Sequence, residues 1–362
     1  MARVLLGISG GVDSVVAASL LKRDAHDVVG VTLLFDDSDA SRIGAEKAAE
    51  ICKRFDFEHS VVDVSAEYEE LVAKPIFEGY AAGLEVNSTV LATQRILLPK
   101  LFELSQAARC RFVATGHFAN VGSEAPVGDL FPLRLQRAQD KHNDQSFYLN
   151  GLEQSQLNRL MFPLGNMQEL EVRMHAMRSG LMMPEVPNGD NLYLFGAGAG
   201  GTLTQWLAAR GLNMPQGDAV DLATGAVVGR HRGLAAITLG ERFHTDAERT
   251  MTAEELEDEK NRRYIVARDL TLNRAYIGTA AQASAESVRV KDVVWTSIHP
   301  LTEKRSCRMR TYRGESPKPV QLVPMDDGSV TMSFTLPQRG LASGKSVVFF
   351  SDNIVLGGGT IA

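Results

Sequence analysis

The sequence predicts an α/β protein: a parallel-sheet domain with helices on both faces, then a small central domain, then a C-terminal β-barrel. Three observations predict it. The first third alternates short apolar runs with helical spacing, as parallel βαβ units do. A glycine-rich turn, SGG, stands between the first strand and the first helix. From residue 262 onward the chain changes to short strands separated by regular turns, the pattern of an all-β barrel.

Each element follows in order. VLLGI (4–8) is a short apolar run of the kind a buried parallel strand shows, and residues 12–23 carry apolar side chains at helical spacing. VVGVTLLF (28–35) is a second strand, 41–55 an amphipathic helix, and HSVVDVS (59–65) a third strand. Residues 94–108 read as a long helix, and RFVATGH (111–117) as a fourth strand ending in a small-residue turn. The pattern changes at GAGAGG (196–201), and TAEELEDEKN (252–261) reads as an exposed, charged insertion. These shifts divide the chain into 1–200, 201–265 and 266–362.

Composition narrows the class. The 362 residues carry a net charge of −6, so the surface as a whole is not a basic magnet for nucleic acid, although a local patch is compatible with that balance. No apolar run approaches the roughly 20 residues of a membrane span, and the start lacks the features of a signal peptide. The expectation is a cytoplasmic protein with no membrane partner. Cys52, Cys110 and Cys307 are far apart, with no CxxC, which argues against a disulfide framework or a zinc cluster.

The chemistry starts at Gly7-Ile8-Ser9-Gly10-Gly11-Val12-Asp13-Ser14. Gly10 and Gly11 permit a tight turn and let backbone N–H groups approach phosphate oxygens. The helix that follows presents its N-terminus to an anion. Ser9 and Ser14 offer hydroxyl donors. Asp13 is an acid beside an anion site, which calls for a Mg²⁺ ion between them. No GKS or GKT follows, and the spacing is not GxGxxG.

SGGVDS in this strand–loop–helix setting resembles the PP-loop ATP pyrophosphatases, whose domain is adenine nucleotide alpha hydrolase-like. Further segments resemble the tRNA-specific 2-thiouridylase (tRNA-uridine 2-sulfurtransferase) family within that group. They are VATGHFANV (113–121), NDQSFYLNGL (143–152) with LNRLMFPLG (157–165), EVRMHAMRSGL (171–181), TGAVVGRHRGLAAITLGER (224–242) and LASGKSVVFFSDNIVLGGGTIA (341–362). The resemblance implies ATP and Mg²⁺ as cofactors and tRNA as partner, with uridine at the wobble position adenylated on O2 before sulfur replaces that oxygen. Carried over by position, Gly7, Ser9, Gly10, Gly11, Val12, Asp13 and Ser14 bind phosphates and Asp13 holds the metal. Leu33 lies against adenine and Gly116 closes the nucleotide pocket. Asn87, Ser88, Thr89, Asn143, Asp144 and Gln145 face tRNA, as do Arg310, Thr311, Tyr312 and Arg313. Lys304, Arg305, Arg308, Arg310 and Arg313 form a basic cluster suited to phosphate contacts. Asp13 and Asp144 are the candidate catalytic acids, and His117 follows a strand end near the site.

The chain departs from the family where sulfur is handled. The family's loop with an acid and a persulfide cysteine reads here Asn87-Ser88-Thr89-Val90-Leu91-Ala92, so Thr89 stands at the acid and Ala92 at the cysteine. The second cysteine's position is Tyr193. Asn143 replaces a basic residue, and Glu241 and Lys345 replace glutamines. An alanine carries no persulfide and a tyrosine forms no disulfide. Three readings stay open: a thiolase fed by an external donor, such as free sulfide or the persulfide of a cysteine desulfurase or sulfur carrier; an adenylating ligase with another nucleophile; and a tRNA- or ATP-binding pseudoenzyme.

Overall fold

The structure is a computed structural model that describes residues 2–125, 128–181 and 202–362. A five-stranded sheet, all parallel, runs β3-β2-β1-β4-β7. Its strands are β1 (Arg3–Gly7), β2 (Asp27–Leu34), β3 (Glu58–Asp63), β4 (Phe112–Thr115) and β7 (Leu160–Met161). Helix α1 (Val12–Arg23) follows β1 and α2 (Asp39–Phe55) follows β2. Two apolar cores sandwich the sheet: Val4 and Leu6 face α1, whereas Leu5 between them faces Leu98, Leu101 and Phe102. That is the alternation a strand imposes on its side chains.

The helix expected at 94–108 begins earlier, at Ser88, where the Asn87 side chain accepts the Val90 N–H at 2.9 Å. It runs on to Ala107 through a π-turn over Thr93–Leu97. A second π-turn, Glu69–Ala73, interrupts a helical run over 65–81. Each π-turn stops just ahead of a proline, Pro99 and Pro75, which donate no N–H and force the helical ladder to adjust.

The middle sheet, β10-β11-β12-β8-β9, comprises β8 (Gly217–Asp221), β9 (Val227–His231), β10 (Arg242–Phe243), β11 (Arg263–Asp269) and β12 (Arg274–Gly278). It continues past residue 265. The acidic 252–261 stretch carries one short helix, Ala253–Glu257.

The C-terminal strands are β13 (Ser284–Trp295), β14 (Arg305–Arg310), β15 (Lys318–Pro324), β16 (Val330–Arg339), β17 (Ser346–Ser351) and β18 (Ile354–Ile361). They run in the order β13-β16-β15-β14-β17-β18, and β18 pairs back to β13, closing an antiparallel barrel. A hairpin from the first part of the chain, β5 (Ala119–Ser123) and β6 (Leu133–Arg137), is added to it through β18. Alternation along β17 then ties the two bodies together. Phe349 fills the barrel, and Phe350 turns outward into the core shared with Leu5, Leu101 and Phe147. Burying a side chain of that size stabilises by roughly 1.5–3 kcal/mol. Among the described residues no helix is long and apolar enough to cross a membrane.

Candidate nucleotide and RNA site

The phosphate loop lies at the carboxyl edge of the parallel sheet, where ligands of such folds bind. Gly10 has φ +78°, and a Cβ there would sit 2.2 Å from the Gly44 carbonyl oxygen of α2. A Cβ on Gly44 would in turn lie 2.9 Å from the Ser9 carbonyl oxygen, so two glycines let α2 cross the loop in contact. The sequence reading missed Gly44. Gly116 approaches equally closely, with a notional Cβ 2.8 Å from the Ser14 backbone nitrogen. Gly7 packs on Leu101.

Helix α1 starts from Gly11 with no side-chain cap, leaving its first N–H groups for an anion. The two serines hold the turn: Ser14 Oγ donates to the Gly11 carbonyl at 2.9 Å and accepts from the Ser9 N–H at 3.2 Å. A further brace comes from β2. The Thr32 hydroxyl donates to the Ile8 carbonyl at 2.7 Å, so its oxygen accepts from His59 Nε2 at 2.9 Å. Burial lowers the His59 pKa, and the arrangement needs a proton on Nε2, as the neutral Nε2–H tautomer supplies. Leu33, next along β2, is half-buried.

Burial, and then the charge of Glu169, push the Asp13 carboxyl up to about 6, against the opposing pull of Arg173. A carboxylate held this way favours a bound cation. Glu169 is paired with Arg173 at 2.7 Å and accepts from Asn143 Nδ2 at 2.9 Å. Asn143 also donates to Asp140 at 3.0 Å. Against burial, hydrogen bonds from Asn143 and Glu169 hold the Asp140 carboxyl below its ordinary value. His117 lies within 2.8 Å of the Thr115 hydroxyl, and burial pulls its pKa down to about 4, so the ring is neutral near pH 7.

Asp144 is fully enclosed. Its oxygens accept from Arg137 Nε at 2.9 Å, Arg310 Nη1 at 3.1 Å, and the Ala138 and Ser146 N–H groups at 3.1 and 3.2 Å. It joins the nucleotide domain to the barrel, with both guanidiniums over the Phe350 ring. Gln145 pairs with the Phe118 backbone, its side chain accepting at 2.9 Å.

The other residues expected to face RNA divide. Ser88 and Thr89 are buried, and Asn87 is half-buried as the helix cap. Arg310 is buried on Asp144, and Thr311 is buried with its N–H and hydroxyl on Glu315. The basic cluster is therefore smaller than its sequence suggests, since Arg305 also pairs with Asp129. Tyr312 is 49% exposed, Arg313 is half-buried, and Lys304 and Arg308 are exposed. Lys141, missed in the sequence, is an exposed residue whose ammonium lies by Arg137 and Arg310. Asp144 lies among these three cations, and Glu315, itself paired with Lys318, also acts on Arg310.

Ala92, where the resemblance implied a persulfide cysteine, is packed among Val72, Ile76 and Ile96. The expectation on Tyr193 lies outside the described residues. None of the three cysteines is bonded. Cys52 faces the sheet against Gly30, and burial pushes its thiol up to about 11. Cys110, ahead of β4, is also raised by burial, and Cys307 is pushed up to about 12.

A parallel sheet whose first βα turn is an uncapped SGGVDS loop, joined to an antiparallel barrel, defines a PP-loop nucleotide-dependent enzyme class. The comparisons place the chain within it. The family model "tRNA methyl transferase HUP domain" matches residues 2–195, and "Aminomethyltransferase beta-barrel domain" matches 285–361. The tRNA-specific 2-thiouridylase MnmA of Gloeothece citriformis is 31% identical over 100% of this chain and 99% of its own length. That of Thermosynechococcus vestitus is 32% identical, covering 99% and 94%. That of Halalkalibacterium halodurans is 30% identical over 99% and 94%. The chain belongs to the tRNA-specific 2-thiouridylase family.

Proposed function

We propose that this protein uses ATP to adenylate O2 of a tRNA uridine, and that a sulfur donor outside the chain then replaces that oxygen. One observation carries the reading: the phosphate loop is complete and braced, while each of the chain's thiols is held protonated by burial. Likeness to 2-thiouridylases over the whole chain supports tRNA as the substrate. The N–H groups and hydroxyls of Ser9 to Ser14 bind the phosphates, Leu33 flanks adenine, and Gly116 keeps the pocket wall close. Asp13 holds Mg²⁺, which supplies charge neutralisation between the carboxylate and the phosphates. Lys141, Asn143, Tyr312 and Arg313 meet RNA, Tyr312 by stacking and the cations by phosphate contact.

Uridine O2 attacks the α-phosphorus, the bond to the β-phosphate oxygen breaks, and pyrophosphate leaves. Hydrosulfide then forms the C–S bond at C2, and AMP departs with the former O2. No change of oxidation state is needed. A persulfide on a cysteine desulfurase or sulfur carrier serves equally once a thiol reductant frees hydrosulfide. Asp144, enclosed by its cations, positions the barrel in this scheme and transfers no proton.

The test is pyrophosphate release from ATP and Mg²⁺ with and without tRNA, followed by nucleoside mass spectrometry after sulfide is added. Release that depends on tRNA and yields 2-thiouridine is the expected result. Release indifferent to tRNA would overturn it in favour of an adenylating ligase for another substrate, and no release at all would favour a pseudoenzyme.

A further inference from the structure

Glu85 lies two residues before the Asn87 cap, is only 6% exposed, and is met from all three parts of the chain. Its Oε1 accepts from the Leu239 N–H at 3.1 Å and is 3.2 Å from Arg268 Nη2, both in the middle part. Its Oε2 is 3.3 Å from Lys345 Nζ, at the edge of the barrel. Its own N–H donates to the Ser343 carbonyl at 2.9 Å. The partners are themselves anchored. Arg268 donates to the carbonyls of Gly83 at 2.8 Å and Ile237 at 3.0 Å, and Lys345 to that of Gly340 at 2.9 Å. Gly344 comes so close that a Cβ would lie 2.9 Å from the Glu85 nitrogen.

A groove of about 570 Å³ lies on the barrel side of this turn, lined by Leu84, Val86, Asn87 and Leu91 and, across it, Gly344 and Ser346. Beside the groove, Gly344 is in contact with Leu84 and Glu85, and a buried carboxylate between two anchored cations ties the turn to both neighbouring parts. Buried ion pairs are poor sources of net stability compared with apolar packing, and their better-attested use is to specify geometry.

We propose that Glu85, with Arg268 and Lys345, is a positioning residue that holds the turn before the 88–107 helix, the middle part and the barrel in one register, so that Tyr312 and Arg313 of the barrel meet the RNA in line with the nucleotide site. The proposal rests on the tRNA-dependent reaction proposed above. It acts through the turn and touches neither ATP nor the phosphate loop.

Glu85→Gln keeps the volume and removes the charge. The expected result has two parts: backbone amides of residues 86–93 exchange with deuterium about tenfold faster, and kcat with saturating tRNA falls by roughly tenfold to a hundredfold. The KM for ATP stays unchanged. Lys345→Gln, which leaves Glu85 and Arg268 as a balanced pair, moves both readouts in the same direction by less, and serves if Glu85→Gln does not fold. Unchanged exchange over 86–93 would overturn the proposal. So would a KM for ATP that worsens in step with kcat, since that marks a general loss of structure. If the unaltered protein shows no tRNA-dependent release, the proposed reaction fails, and the exchange measurement, which needs neither RNA nor turnover, still decides the role of Glu85.

Discussion

The phosphate loop at 8–14 and the turn and helix at 87–93 belong to the same domain and have gone different ways. The loop leaves an uncapped helix N-terminus open, braces its turn with two serines, and carries a carboxylate whose pKa burial raises. The second segment has turned inward. Ser88 and Thr89 are buried and Ala92 is a core methyl. In the reaction proposed here, nucleotide activation and sulfur handling would fall to separate elements.

The sharpest way to break the contrast is at the loop. Gly10→Ala must place a methyl group on the Gly44 carbonyl in a left-handed backbone, so ATP binding measured by calorimetry should be lost. Asp13→Asn should abolish pyrophosphate release while leaving the fold intact; turnover near the parent rate would remove Asp13 as the metal's ligand. The folded state holds the Asp13 proton more tightly than the unfolded chain does. Ionised Asp13 therefore costs stability above pH about 6, and the cost is relieved as pH falls toward 3.8. The Asn variant should melt no lower than the parent at pH 7, and a lower melting temperature would contradict this.

Asp144→Ala comes next. It leaves Arg137 and Arg310 facing each other without their carboxylate, at a cost of about 3–5 kcal/mol in denaturant unfolding. A loss under about 1 kcal/mol would mean the pair is solvated. Thr32→Val removes the hydroxyl between Ile8 and His59; a lost buried hydrogen bond of about 1–2 kcal/mol should raise the KM for ATP by roughly fivefold to thirtyfold. An unchanged KM would show that the loop needs no brace from β2. The smallest expected effect lies with the thiols. Raised pKa values mean that thiolate forms only as pH climbs toward about 11 for Cys52 and about 12 for Cys307. Alkylation at pH 8 should be slow in the folded protein and fast in denaturant, whereas one rapidly labelled cysteine in the folded state would reveal a reactive thiol.

Much of the nucleotide half was legible in the sequence because its signal is local. Strand, glycine turn and helix follow within residues 3–23, and their spacing carries the physics directly. Gly44 was not legible, since its need is set by a backbone that crosses from another helix. Nor was the β5–β6 hairpin, which leaves the nucleotide domain to join the barrel through a pairing of Gln136 with Ile354. The basic cluster misled for the same reason. A run of arginines does not show that Arg310 is claimed by Asp144 and Arg305 by Asp129, both more than a hundred residues away. Glu85, Arg268 and Lys345 are likewise separate in the chain and become one site only when three parts of the fold converge.

The central claim is that activation is complete on this chain and that sulfur comes from outside it. The most direct measurement uses a protein with Cys52, Cys110 and Cys307 all replaced by alanine, checked for an unchanged melting profile and given ATP, Mg²⁺, tRNA and labelled sulfide. Incorporation of label into tRNA at the parent's rate is the expected result. Pyrophosphate release that continues while incorporation stops would contradict the claim, because it would place an essential sulfur carrier among the three cysteines.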